Sequence, residues 1–161
     1  LWMQAQRVGG KADLDELMQT ALRNTRFHIS EGRLRSEAWY NKLDNEARQQ
    51  YRQIGRILLR GLMAELATAG GQGNIEAESL GYEYAWRGNR YGLSCVEATH
   101  ALLFFRRVLL ESMLAVFESA AVKSPHAWSA MLRKVCDFTD RFLVTLLETY
   151  EAYQQAPRRS I

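Results

Sequence analysis

Proline is almost missing from this sequence. Pro125 and Pro157 are the only two in 161 residues, so long stretches contain nothing that lacks a backbone donor or clashes with a preceding helical turn. Cysteine is as scarce: Cys95 and Cys136 stand far apart with no second thiol or histidine at ligand spacing. A disulfide framework and a zinc motif are thereby excluded, and a reducing, cytoplasmic setting is expected. Long apolar runs are lacking too. The longest, 101–110, is cut by Arg106 and Arg107 and falls short of the roughly 18 residues of a membrane span. Where a secretion signal would have its apolar core, the chain has Gly9, Gly10 and Lys11. Charge of one sign is also in short supply, and a net +3 permits weak attraction to nucleic acid or acidic lipid without demanding either.

Motifs of catalysis are missing as well. There is no nucleophile elbow, no phosphate-cradling glycine motif, no zinc-binding helix motif and no Cys–His spacing. No catalytic residue, no metal ligand and no cofactor are expected, and the chain reads as a non-enzyme. Gly70, Gly71 and Gly73 follow a helical pattern rather than a strand, so they make an interhelical loop and not a phosphate cradle.

What is present is helix. With 47% hydrophobic and 24% charged residues, the chain suits one domain that buries roughly 70% of its unfolded surface and needs no metal or disulfide to hold it. Its start at Leu1 and its stop soon after a long last helix read as a piece of something longer, with 1–11 irregular and 12–161 a single helical domain. Apolar residues recur at steps of three and four and nowhere alternate, which predicts an all-α bundle of about six helices. Asp13 and Glu16 form a capping signal for the first helix, which carries Leu17, Met18, Ala21 and Leu22 on one face. Ser30 caps a short second helix through Leu34, Trp39 and Leu43, and Asp44 or Asn45 caps a long third one over 46–69. On that third helix Tyr51, Ile54, Leu58, Gly61 and Leu62 form the apolar side while Arg48, Arg52, Arg56 and Arg60 climb the other.

The fourth helix is expected from Asn74 to Tyr91, closed by Gly92 in a left-handed conformation. Leu80, Tyr84 and Tyr91 share one side of it with Gly81 and Gly88, whereas Ile75, Tyr82 and Trp86 occupy the other, so it must be covered from two directions. Ser94 and Glu97 make a capping box for a fifth helix to about residue 121, apolar on nearly all sides and therefore expected to be almost wholly buried. Ser124 and Pro125 sit where an N-cap and first helical position belong, opening a sixth helix over 125–155.

Four features invite a functional question. His100 is one of three histidines, but it falls beside Arg107 and Glu111 on the polar side of its helix, a poor place for a haem ligand. Arg106 falls among Leu102, Leu109, Leu110 and Met113, where a guanidinium needs an anion: Glu83, Asp137 or Asp140 as a structural partner, or else an acidic ligand. The arginines of the third helix come without a helix-turn-helix, so nucleic acid is not the expected partner. Finally, Trp128, Leu132, Val135, Thr139, Phe142, Leu146 and Tyr153 follow a near-heptad seam that asks for a partner helix, and they are the expected contact of a homodimer. The alternative is a ligand-binding or haem-binding helical domain with its pocket beside Arg106, Trp86, Tyr82 and His100.

The run Tyr91, Gly92, Leu93, Ser94, then Glu97, Ala98, Thr99, then Phe104, Phe105, Arg106, Arg107, with Tyr51, Arg52, Gly55, Arg56 and Leu58 before it, resembles the N-terminal domain of RsbT co-antagonist proteins of the RsbRD type. The likeness spans about residues 13–155. It implies a globin-like sensory module without haem, dimeric, placed ahead of a C-terminal output domain in a bacterial signalling or transcriptional regulatory protein. It implies no particular ligand residues.

Overall fold

The computed structural model describes residues 2–29, 31–67, 73–118 and 124–159, with side chains over 15–29, 32–66, 76–118 and 124–155. Among the described residues the chain is all-α, with seven helices and no strand. These are α1 (Trp2–His28), α2 (Glu31–Leu34), α3 (Ala38–Asn41), α4 (Asn45–Ala67), α5 (Gly73–Arg90), α6 (Cys95–Glu118) and α7 (Pro125–Arg159). No described helix is long and apolar enough to cross a membrane.

The helix ends follow local chemistry. Asp44 Oδ1 accepts the Ala47 N–H at 2.8 Å at the start of α4. Ser94 and Glu97 satisfy each other's backbone donors at 3.1 and 3.0 Å, the reciprocal capping box that opens α6. Between α5 and α6, Gly92 takes φ 78°, a left-handed turn that a side chain would resist. Lys42 fixes that turn from outside by donating to the Gly92 carbonyl and to Glu97 Oε1, at 2.7 and 2.8 Å.

α6 is the hub: it packs on α1, α3, α5 and α7, and buries Leu102, Phe105, Leu109 and Met113 among them. Tyr150 donates to the Leu93 carbonyl while Arg106 reaches Asp140, so α6 and α7 run antiparallel. α5 lies alongside α7 in the same direction, because Gly81 meets Phe142 and Thr145 while Gly88 meets Tyr150. The two glycines permit this approach. A Cβ at Gly81 would stand 2.8 Å from Thr145 Cβ and 3.0 Å from the Phe142 carbonyl oxygen, closer than packed atoms tolerate. α4 runs antiparallel to α5, with Gln50 bonded to Arg87 at one end and Gly61 against Leu80 at the other.

The structure revises several expectations. The N-terminal segment is not irregular, since α1 already begins at Trp2 and the Asp13–Glu16 signal lies in its interior. With no proline before Pro125, each residue added to the helix gains a hydrogen bond without a new nucleation cost. The expected second helix is split into α2 and α3, because Ser36 Oγ and Asn41 Nδ2 donate to the carbonyls of Arg33 and Arg35, at 2.6 Å each, and hold a turn between them. α7 continues past Pro157 to Arg159; a proline so near a helix end removes a bond from a turn with few left to lose. The expected ends of the third and fifth helices, and the glycines at 70 and 71, lie outside the described residues.

Two burial expectations also change. Tyr82 and Trp86, the second side of α5, are 57% and 50% exposed, so that side is open to solvent. Leu103, Leu114 and Phe117 of α6 are exposed as well, leaving that helix buried on a broad arc rather than all round.

Candidate functional site

The three-and-four spacing of α4 turns Tyr51, Ile54, Gly55, Leu58 and Leu59 towards α6, which answers with Ala101, Leu102, Phe104 and Phe105. Leu34 of α2 and Trp39 and Tyr40 of α3 complete the wall, and with Gly55 and Ala101 offering little bulk a cavity of about 250 Å³ is left. Its wall is apolar and aromatic. The Trp39 ring stands 5.8 Å from that of Tyr51 and 6.3 Å from that of Phe104, tilted and edge-on contacts that hold the indole in one orientation.

Two polar atoms of this wall lack partners: the Trp39 indole N–H and the Tyr51 hydroxyl, in side chains only 6% and 7% exposed. A buried donor without an acceptor costs stability and calls for a reason. The Tyr51 hydroxyl lies against Gly88, close to the Tyr150 hydroxyl. Burial above all, then the neighbouring tyrosines, pushes the Tyr51 and Tyr84 hydroxyls well above the ordinary phenol range, so both stay neutral. Neither is a base or a nucleophile in that state.

Arg26 from α1 and Arg52 and Arg56 from α4 stand at the rim of the cavity, their side chains exposed. No carboxylate is among the described residues that line it. Gly55 lies between the α4 arginines, and a Cβ built there meets nothing within 4 Å, so the entrance is open at this point. The arginines of α4 thus divide their work. Arg48 lies 5.0 Å over the Tyr40 ring and donates to the carbonyls of Tyr40 and Asn41, closing the end of α3, and Arg52 and Arg56 line the cavity.

The residues expected to bind a ligand are elsewhere. Arg106 is an ion-paired residue at the edge of α6, 2.8 Å from Asp140, with side chains 24% and 60% exposed. Its aliphatic stem follows the apolar stripe while the guanidinium reaches out between α6 and α7. Trp86 and Tyr82 are on the outer side of α5, where the Arg90 guanidinium lies 5.2 Å over the Trp86 ring. His100 is exposed on α6. None of the four touches the cavity, and they do not converge on one another's site.

The expected dimer seam is likewise consumed within one chain. Trp128, Val135, Phe142 and Leu146 are at most 4% exposed, and Leu132 and Tyr153 are half-buried against the same core. The partner helices that the seam asked for are α5 and α6 of the same molecule.

Comparisons of the chain with protein-family models, with curated proteins and with solved structures find no match. The chemistry of the cavity is therefore what speaks to function. Among the described residues that line it there is no His, Cys or Met to serve as a haem axial ligand, and burial keeps the Tyr51 and Tyr84 hydroxyls neutral. Among the described residues no group of His, Cys, Asp and Glu could hold a metal ion either. The pattern Arg52, Gly55, Arg56 beside Tyr51 and Ile54 was the one trace of this site in the sequence. A row of arginines on an amphipathic helix has the same signature when it is only a solvated face, and the residues from other helices that complete the wall are distant in sequence.

Proposed function

We propose that this chain is a non-catalytic regulatory module which binds a small apolar molecule in the cavity between α4 and α6. The single observation that carries this is an apolar, aromatic-walled hollow of about 250 Å³ with an open entrance at Gly55. An apolar cavity of about 150 Å³ is already enough to take up benzene. Filling it presses on Leu102 and Phe105 of α6, and α6 packs along α7, so the longest helix is the natural carrier of the signal. The resemblance to RsbRD-type sensory domains supports the same direction: a globin-like, cytoplasmic module passing a change of packing to an output domain. Ligand at about a hundredfold excess over Kd adds about 2.7 kcal/mol, which raises the melting temperature of a domain this size by about 5–10 °C. Thermal melts against a panel of small hydrophobic compounds test this. A Gly55→Leu variant that melts normally yet loses every stabilising hit supports the cavity; hits that survive in that variant place binding elsewhere and defeat the proposal.

Association as a homodimer belongs to the same proposal, but through a surface other than the seam. Tyr82 and Trp86 on α5, and Val144 and Leu147 on α7, are all exposed by 40% or more. They lie on the outer side of two helices locked together at Gly81 and Gly88. Light scattering across a range of concentrations tests it: association weakened by Trp86→Glu is the expected result, and a strict monomer at every concentration refutes it.

A further inference from the structure

We infer that two copies of this chain meet antiparallel along the outer ridge of α5, an assignment that rests on the homodimer reading above and fixes its register. Glu78, Tyr82, Trp86 and Arg90 follow one another at steps of four, so they form one ridge along the helix. The ridge has an acid at one end, two aromatic rings in the middle and a base at the other, over about 18 Å at 1.5 Å for each residue. Tyr82, Trp86 and Arg90 are exposed and Glu78 is half-buried.

Reversed end for end, this row complements itself. A second copy turned about a two-fold axis at the level of Tyr84 sets Tyr82 against the partner's Trp86 and Arg90 against the partner's Glu78. Each contact then occurs twice, as an isologous interface requires. A parallel copy instead brings Glu78 to the partner's Glu78 and Arg90 to the partner's Arg90, like charges that repel. The charges therefore choose the antiparallel register.

Both ends are placed to receive each other. Among the described residues Arg90 makes no ion pair, and its guanidinium lies 5.2 Å over the Trp86 ring. Glu78 meets Arg141 at 3.4 Å, with both side chains open to water, and it lines a groove on α5 and α7 together with Asp137, Asp140 and Glu148. Arg141 and Arg106 answer Glu78 and Asp140, so this end of the ridge carries acid enough to accept a further guanidinium. Between the ends, Tyr82 and Trp86 are rings of the kind that anchor interfaces, and the exposed Val144 and Leu147 extend the apolar surface onto α7. The closure of α5 on α7 at Gly81 and Gly88 holds the ridge in place, so little freedom is lost on docking.

Sedimentation of the whole chain in low salt tests the register with Arg90→Glu and Glu78→Arg, each checked by its melt. Each variant is expected to dimerise about tenfold or more weakly than wild type, because it turns two attractive contacts into repulsive ones. An equimolar mixture of the two should recover wild-type affinity, since a ridge basic at both ends then meets one acidic at both ends. Should Glu78→Arg unfold beside Arg141, the series wild type, Arg90→Gln, Arg90→Glu decides instead: affinity is expected to fall at each step, and equal affinities overturn the register. Single variants that dimerise as wild type overturn it and leave the homodimer reading standing, as does a mixture that stays as weak as its components. A wild-type chain that is monomeric at every concentration defeats the homodimer reading together with the register.

Discussion

Replacing Gly88 by alanine puts the closeness of α5 and α7 to a quantitative test. In a helix interior this exchange is ordinarily favourable by about 1 kcal/mol, because alanine loses less backbone freedom than glycine. Here the new methyl would collide with the Tyr150 hydroxyl and come within 3.2 Å of the Tyr51 hydroxyl. Tyr150 cannot simply swing away. Its side chain is buried and its hydroxyl donates to the Leu93 carbonyl at 3.0 Å, so moving it forfeits that bond at about 0.5–1.5 kcal/mol. Overpacking of a filled core adds about 1–3 kcal/mol. The balance is a net loss of about 1–3 kcal/mol, or about 2–10 °C in melting temperature for a domain of this size. Urea denaturation and thermal melts of the wild type, Gly88→Ala, Tyr150→Phe and the double variant measure it. The two changes should be less than additive, because removing the hydroxyl removes the atom struck. A Gly88→Ala protein as stable as wild type, with an unchanged denaturant slope, would show that α5 and α7 do not approach at this glycine.

Gly55→Ala is the converse case: with nothing within 4 Å of the added carbon, it should stabilise the protein by up to about 1 kcal/mol in the same melts, and any loss contradicts the open entrance. Phe142→Ala should cost about 3–5 kcal/mol in urea without altering the association state, because this side chain is buried within one chain; a dissociated but equally stable variant would restore the seam as an interface. Asp140→Asn should shift stability by no more than about 1 kcal/mol, since the Asp140 end of its pair with Arg106 is open to water. Glu97 carries a pH signature. The Lys42 ammonium, and after it the Ser94 N–H, hold its carboxyl below the ordinary carboxylate range, so the folded protein binds fewer protons there than the unfolded chain. Its stabilising effect is present above that range and is lost as pH falls through the lowered value. Melts of wild type and Glu97→Gln should therefore differ at neutral pH and converge in acid, and a gap independent of pH would show that Glu97 gains nothing from its partners.

Ser94, Glu97 and Gly92 act in the structure as the sequence implied because caps are short-range, whereas the Asp13–Glu16 signal is overridden inside α1. Ser94 and Glu97 are three residues apart, and Gly92 needs only its own backbone angle. Elements whose identity depends on who packs against them were less legible. The α7 seam and the two-sided α5 each announce a need for a neighbour, but periodicity cannot say whether the neighbour is in the same chain. The seam is met by α5 and α6, whereas the Tyr82–Trp86 side of α5 meets solvent. Arg106 showed the same limit. Helical geometry places its Cα in an apolar stripe, yet a long side chain carries its charge to Asp140 at the rim of the helix pair.

By itself the sequence determined an all-α chain and the starts of α4, α6 and α7, since propensity, capping and periodicity act over a few neighbouring residues. Only the tertiary structure decided where helices distant in sequence come to rest. Glycines 81 and 88 let α5 approach α7, and residues of α1 to α6 meet around one hollow. A cavity is the space that packing leaves unfilled, and no local pattern of residues encodes it.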